Sequence, residues 1–332
     1  MKTVFICSEE KNLDYVYPEN VKKALKEIGF DGICYNKQDI IQKKELFKDA
    51  KYIFSTWGMP LFTEEEIKEY LPSLKCVFYA AGTVQAFARP FLNCGVKVFS
   101  AWAANAVPVA EYTVAQIILS NKGFYNLSAL TSNGNYDYAR KEFQNYKGNY
   151  NVKVGIIGAG TIGSLVIKML KAYKLEVLVF DPFLSDEKAK ELGCEKVSLH
   201  RLFGECSVVS NHLANNEQTK DMLNGDLFST MLPFATFINT GRGAQVKESD
   251  LIEVLKERTD LTAILDVTNP EPPIPDSELY KLQNCILTPH IAGSSGNEVN
   301  RMAEFMLEEY KRFENNEKCL YEVSIKMLET MA

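Results

Sequence analysis

The stretch from Val152 to Asp181 constrains the fold more than any other part of the chain. It opens with a short apolar strand, Val152 to Ile157, and turns through Gly158-Ala159-Gly160-Thr161-Ile162-Gly163. It continues as an amphipathic run from Ser164 to Tyr173 and closes with a second apolar strand, Val177 to Phe180, that ends on Asp181. Each glycine has its own mechanical reason. Gly158 permits the tight turn from strand to helix, Gly160 lets the backbone approach a pyrophosphate, and Gly163 lets the helix pack closely on its strand. The helix that starts there aims free N–H groups at an anion. Asp181 stands where a carboxylate can accept hydrogen bonds from both hydroxyls of an adenosine ribose and would repel a 2′-phosphate. The nucleotide implied is NAD rather than NADP. Three glycines at this spacing also mark ordinary turns. The complete strand, turn, helix, strand and acid around them carry the reading.

With 332 residues the chain can form two domains with real cores. An apolar content of 46% and a charged content of 24% are ordinary for a globular protein. The net charge of −6, without a basic run, excludes nucleic acid and a membrane surface as expected partners. The apolar run from Met1 to Cys7 is too short for a signal peptide and passes directly into Glu9-Glu10-Lys11. No segment reaches 18 uninterrupted apolar residues, so no membrane span is expected. Eight cysteines lie scattered, with no CxxC or Cys/His spacing. No metal site is expected from them, and they read as buried, reduced thiols of a cytoplasmic protein.

Residues 1 to about 100 alternate short strands and helices. Val4-Phe5-Ile6, Tyr52-Ile53-Phe54, Cys76 to Tyr79 and Val96 to Phe99 read as strands. Val21, Leu25 and Ile28 mark one helix face, and Thr63 with Glu66 forms a capping box that opens another helix. Such alternation predicts a parallel sheet covered by helices, with ligands at the carboxyl ends of its strands, Ser55 to Met59 and Ala80 to Thr83. The turn Ala80-Ala81-Gly82-Thr83 suits the presentation of backbone N–H groups to an anion. Asn105-Ala106-Val107-Pro108 then opens a long apolar helix. Residues 124–150, rich in Asn and Tyr, show no clean period; they predict an arm packed on a second subunit or a wrapped surface loop. Beyond Asp181, strands at 208–211, 235–239, 263–266 and 286–288 and a helix at 250–256 complete a second doubly wound sheet. Ser295 and Glu298 form a further capping box opening a helix that runs to about Asn315.

Three charged residues follow strands of the second sheet: Arg242 after Ile238-Asn239-Thr240-Gly241, Glu271 after Asp266 to Pro270, and His290 after Leu287-Thr288-Pro289. Singly they read as a surface arginine, a solvated glutamate and a histidine satisfied by a carbonyl. Together on one rim they form the set that reduction of a 2-oxo acid needs. A planar guanidinium holds the carboxylate and polarises the carbonyl. A histidine supplies the proton near neutral pH. An anion beside that histidine keeps it oriented and favours its cation. The cofactor supplies the hydride.

Five stretches in order resemble the D-isomer-specific 2-hydroxyacid dehydrogenase family across nearly the whole chain. They are Asn105 to Glu111, Val154 to Gly163, Asn239-Thr-Gly-Arg-Gly243, Leu265-Asp-Val-Thr-Asn-Pro-Glu271 and Thr288-Pro-His-Ile-Ala-Gly293. The resemblance implies that Arg242 binds the substrate carboxylate, that His290 is the acid/base and that Glu271 pairs with it. It further implies that Asp266 holds the nicotinamide amide, that Thr240, Gly241 and the 290–293 turn with Ala292 and Gly293 contact the cofactor, and that Thr161 and Ile162 meet the pyrophosphate beside Gly158, Gly160 and Gly163. Trp57, Ala81, Gly82 and Asn105 are the expected further substrate contacts. The implied fold is α/β with two doubly wound parallel-sheet domains. A Rossmann NAD-binding domain, residues 104–293, is inserted into a discontinuous flavodoxin-like substrate domain, residues 1–103 plus 294–332. A homodimer through the NAD-binding domains is implied as well, in agreement with the arm at 124–150.

The loop Ser55 to Pro60, which in this family faces the substrate side chain, carries no Arg or Lys. A phosphorylated substrate is therefore not expected, and Trp57, Met59 and Tyr79 suggest an apolar or small 2-oxo acid, with core packing the plainer reading of Trp57. The chain ends 42 residues beyond His290, so no appended regulatory domain is expected. Two other readings compete. One is an NAD(H)-sensing, corepressor-like binding protein that keeps the same Arg, Glu and His. The other is an NADP-linked glyoxylate or hydroxypyruvate reductase, which Asp181-Pro-Phe-Leu-Ser, lacking an Arg, disfavours.

Overall fold

Strands such as Val4-Phe5-Ile6 and Cys76 to Tyr79 have no solvent face, and a strand apolar on both sides is stable only in a sheet covered by helices on both sides. The computed structural model, which describes residues 2–329, has two such sheets. β1 (Thr3–Ile6), β2 (Cys34–Tyr35), β3 (Tyr52–Ser55), β4 (Cys76–Tyr79) and β5 (Lys97–Ser100) form the first. β6 (Tyr150–Ile157), β7 (Lys174–Phe180), β8 (Glu195–Lys196), β9 (Val208–Asn211), β10 (Thr236–Asn239), β11 (Thr262–Leu265) and β12 (Cys285–Leu287) form the second. β13 (Glu322–Val323) returns to the first sheet and pairs antiparallel with β5.

The first sheet runs in the order β13-β5-β4-β3-β1-β2; its parallel part is the flavodoxin-like order, with the switch point between β1 and β3. The second runs β12-β11-β10-β9-β6-β7-β8, the doubly wound order of dinucleotide-binding sheets, with its switch between β6 and β9. Two compact units follow. One comprises the chain through Asn105 and from Ser294 onward, the other Ala106–Gly293.

In the first unit Phe54, Phe78 and Phe99 stack across β3, β4 and β5 at centroid spacings of 5.0 and 4.9 Å. Met302, Met306 and Tyr310 of the Glu298–Glu314 helix cover that face. The capping box forms as the sequence predicts: Glu66 N–H donates to Thr63 Oγ1 at 3.3 Å, and Thr63 N–H to Glu66 Oε2 at 2.8 Å. In the second unit, Val154 and Ile156 on one side and Ile157 on the other divide β6 between two cores.

Four differences between the structure and the sequence reading stand out. The long helix spans Trp102–Ser120 and contains Pro108 rather than opening near it. Buried Ala104, Ala106, Val109, Ala110, Thr113 and Ile117 hold it together, and their packing outweighs the one intrahelical hydrogen bond that proline cannot donate. Residues 124–150 are mostly helical: helices span Phe124–Ser132 and Tyr136–Glu142, followed by a 3-10 turn at Phe143–Asn145, and 146–149 run without regular structure into β6. None of the residues of the first helix is fully buried, and a helix without a buried stripe leaves no apolar period to read. The helix after the glycine-rich turn spans Thr161–Leu170, three residues earlier than the apolar run suggests. At the last helix only half of the capping box forms. Ser295 N–H donates to Glu298 Oε2 at 3.0 Å, while Asn297 occupies the N-cap and the helix begins at Glu298.

Candidate active site

β6 delivers the chain to Gly158, whose φ of +87° is a left-handed conformation that glycine adopts without strain. A Cβ there would sit 2.8 Å from the His212 carbonyl oxygen, and one at Gly163 would sit 1.9 Å from the Gly158 oxygen. Both glycines are therefore demanded by packing within the protein. Gly160 is different, because a Cβ there would meet nothing within 4 Å. Its missing side chain leaves room for something outside the chain. Gly160 is also the N-cap of the Thr161–Leu170 helix, and no side chain caps that end. Its first-turn N–H groups, including those of Thr161 and Ile162, are placed to receive an anion. Asp181, at the end of β7, accepts from Ala159 N–H and Phe183 N–H, both at 2.8 Å. The acid is thus fixed beside the glycine-rich turn, and the residues present fit a dinucleotide.

β10 ends in Asn239 and passes through Thr240 and Gly241 to Arg242. The Arg242 Nη1 donates to the Gly241 carbonyl at 2.8 Å. Burial pulls this guanidinium below its ordinary pKa, and the nearby Glu271 carboxylate opposes that shift. Gly243 allows the Arg-bearing loop to run against the loop after β11, since a Cβ would lie 2.0 Å from the Thr268 carbonyl. Glu271 Oε1 lies 2.7 Å from His290 Nδ1. Their side chains are 41% and 46% exposed, and an exposed ion pair contributes only about 0–1 kcal/mol to stability. Stability is therefore not what this pair supplies. His290 adopts φ +56°, an uncommon conformation for a residue with a side chain, costing on the order of 1–3 kcal/mol. Buried Asp266 holds it there. The Asp266 carboxylate accepts from Thr288 Oγ1 at 2.6 Å, Ile291 N–H at 2.8 Å and Ala292 N–H at 2.9 Å, while its carbonyl accepts from His290 N–H at 3.1 Å. The turn continues through Gly293, the last residue of this unit.

Sequence reasoning missed His212. Burial pushes its pKa down to about 3, so it is neutral, with Nε2 2.9 Å from Ser210 Oγ and Nδ1 3.3 Å from Thr240 Oγ1. It also missed three buried amides, Asn211, Asn239 and Gln245, around the Arg242 turn. The available signal was a polar residue ending an otherwise apolar strand, at Asn211 and Asn239.

Among the expected substrate contacts, Trp57 is not core; it is 37% exposed and its ring stacks on Tyr15. Met59 and Tyr79 are instead buried in the core of the first unit. Ala81 is buried and Gly82 half-buried, and the Ser100 hydroxyl lies within hydrogen-bond reach of both their carbonyls. Asn105 accepts from Ser294 N–H at 2.9 Å, joining the two ends of that unit's discontinuous chain.

A doubly wound sheet in the dinucleotide-binding order, with Arg242, Glu271 and His290 following its strands, defines the class: an α/β protein of the dinucleotide-binding kind. Residues 114–292 match the sequence model described as D-isomer specific 2-hydroxyacid dehydrogenase, NAD binding domain. The chain belongs to the D-isomer specific 2-hydroxyacid dehydrogenase family, and its cofactor is NAD(H). It is 31% identical over 201 residues to a D-3-phosphoglycerate dehydrogenase of Archaeoglobus fulgidus, covering 60% of this chain but only 38% of that relative's length. It is 29% identical over 275 residues to a glyoxylate reductase of Korarchaeum cryptofilum, covering 82% of each. The holo D-mandelate dehydrogenase of Rhodotorula graminis shares the fold, with a TM-score of 0.80 at 19% identity over 97% of both chains.

Proposed function

We propose that this protein is an NAD-dependent oxidoreductase that interconverts a 2-oxo acid and a D-2-hydroxy acid, with reduction the favoured direction. The observation that carries the reading is the 2.7 Å contact between His290 Nδ1 and Glu271 Oε1 on the rim that bears Arg242. Bound NADH would supply the hydride. Arg242 forks onto the substrate carboxylate and draws electron density from the carbonyl, and its partial burial strengthens that attraction. His290, held by Glu271 through Nδ1, presents Nε2 as the proton donor to the forming alkoxide and takes the proton back in oxidation. Gly158, Gly160, Thr161, Ile162 and Gly163 hold the pyrophosphate, Asp181 the ribose, and Thr240, Gly241, Asp266, Ala292 and Gly293 the nicotinamide end.

We assign substrate contacts to Trp57, Ala81, Gly82 and Asn105, and thereby the role of substrate domain to the first unit. The absence of a cation in Ser55 to Pro60 favours an unphosphorylated, apolar or small R group, although a phosphoglycerate dehydrogenase is among the relatives. Eight unpaired thiols support a reducing, cytoplasmic setting. No helix among the described residues is long and apolar enough to cross a membrane.

The test is NADH oxidation with pyruvate, glyoxylate, hydroxypyruvate, 2-oxobutyrate, branched and aromatic 2-oxo acids and oxaloacetate. The expected result is turnover with one class, lost on the order of 100-fold or more in His290→Asn with NADH binding retained. Tight NADH binding without turnover on any of them would favour the corepressor-like reading. Wild-type rates in His290→Asn would remove the acid/base assignment.

A further inference from the structure

The Arg242 turn is held from inside the sheet by side-chain amides. Asn211, Asn239 and Gln245 are at most 1% exposed. Gln245 Oε1 accepts from Arg242 N–H at 3.0 Å, and Asn239 Nδ2 donates to the Arg242 carbonyl at 3.2 Å. Asn239 Oδ1 accepts from Gly241 N–H at 3.1 Å, and Gly241 is the residue whose carbonyl receives the Arg242 guanidinium. Asn211 Nδ2 bridges the other two amides, donating to Asn239 Oδ1 at 3.0 Å and to Gln245 Oε1 at 2.6 Å. The ring closes through Leu213, whose N–H donates to Asn211 Oδ1 at 3.2 Å and whose carbonyl accepts from Gln245 Nε2 at 2.8 Å. Gly241 is part of the same design, since a Cβ there would lie 2.6 Å from Gln245 Oε1 and 2.9 Å from Asn211 Nδ2.

Three buried amides are costly unless satisfied, and Leu or Met would fill the same volume without that requirement. What they add is direction. Both backbone polar groups of Arg242, and the carbonyl its guanidinium leans on, are tied to a rigid network spanning β9, β10 and the turn after it. We propose that Asn211 and Gln245 are positioning residues for Arg242, fixing where its guanidinium meets the substrate carboxylate. The proposal rests on the reading of Arg242 given above. Neither amide touches the substrate; each acts through the arginine.

The test combines Gln245→Met and Asn211→Leu, alone and in an Arg242→Ala background, with kcat and KM for the preferred 2-oxo acid, the NADH Kd and thermal melting. Each single variant is expected to lose on the order of 10- to 100-fold in kcat/KM, mostly through KM, with NADH affinity within about twofold. In the Arg242→Ala background the further loss should fall below about threefold, because the residue acted upon is gone. An equal loss in both backgrounds overturns the proposal. If the variants do not fold, backbone amide exchange in the wild-type protein decides it. Slow exchange at Gly241 and Arg242 supports the clamp, and exchange as fast as in an exposed loop overturns it. A wild-type protein that reduces no 2-oxo acid overturns the functional reading, and with it the catalytic purpose of the clamp. Fast exchange overturns the clamp alone.

Discussion

His290 and His212 show how differently one residue type behaves in two settings. His290 is half-exposed, oriented by a carboxylate and held at positive φ by Asp266. His212 is half-buried with its ring desolvated, hydrogen-bonded only to hydroxyls through that ring, and held neutral with a pKa near 3. That depression has a stability consequence. Below the ordinary histidine pKa of about 6.5 the unfolded chain binds a proton that the native protein refuses. Stability contributed by this residue is therefore present above that pH and declines as the pH falls from about 6.5 toward 3. The limiting slope is at most about 1.4 kcal/mol per pH unit. Replacing His212 with Gln should flatten the acid limb of the stability curve, measured by denaturant unfolding between pH 7 and 4. An unchanged slope would show that His212 does not carry it.

At the scale of elements, the strand–turn–helix unit separates glycines that serve packing from one that serves a ligand. Ala is a better helix former than Gly by about 1 kcal/mol. At Gly163 the collision with the Gly158 carbonyl outweighs that gain, and overpacking of this kind costs about 1–3 kcal/mol. Gly163→Ala should accordingly lower the melting temperature without NADH present. At Gly160, with φ −66° and open space where a Cβ would go, Ala should leave that melting temperature unchanged or raised. NADH should then protect the variant much less than the wild type. Equal NADH protection of wild type and Gly160→Ala would exclude a close approach of the pyrophosphate at that position.

For the whole molecule, the helices at 124–142 are the least self-sufficient part. Phe124, Tyr136 and Tyr138 are all exposed there, and a surface so rich in aromatics is suited to covering by a partner. We expect a homodimer through the NAD-binding unit, with sedimentation giving a mass near twice 37.5 kDa. Tyr136→Ser with Tyr138→Ser should shift it toward monomer. A wild-type monomer at micromolar concentration would exclude this association.

The sequence by itself determined the alternation of elements and singled out the residues proposed to carry chemistry. Apolar runs of four to eight residues and a spaced glycine motif are local signals, and Asp181, Arg242, Glu271 and His290 announce themselves by following strands. Tertiary structure alone decided the rest. The order β12-β11-β10-β9-β6-β7-β8 arises from which strands pair, and no local pattern encodes pairing. The helix at Phe124–Ser132 left no signal because none of its residues is fully buried, and Pro108 gave a misleading one because packing around it outweighed its missing donor. Asn211 and Gln245, 34 residues apart, look like unremarkable polar residues in the chain. Their meaning comes from burial, where an amide must find partners, and the partners it finds are those that hold Arg242.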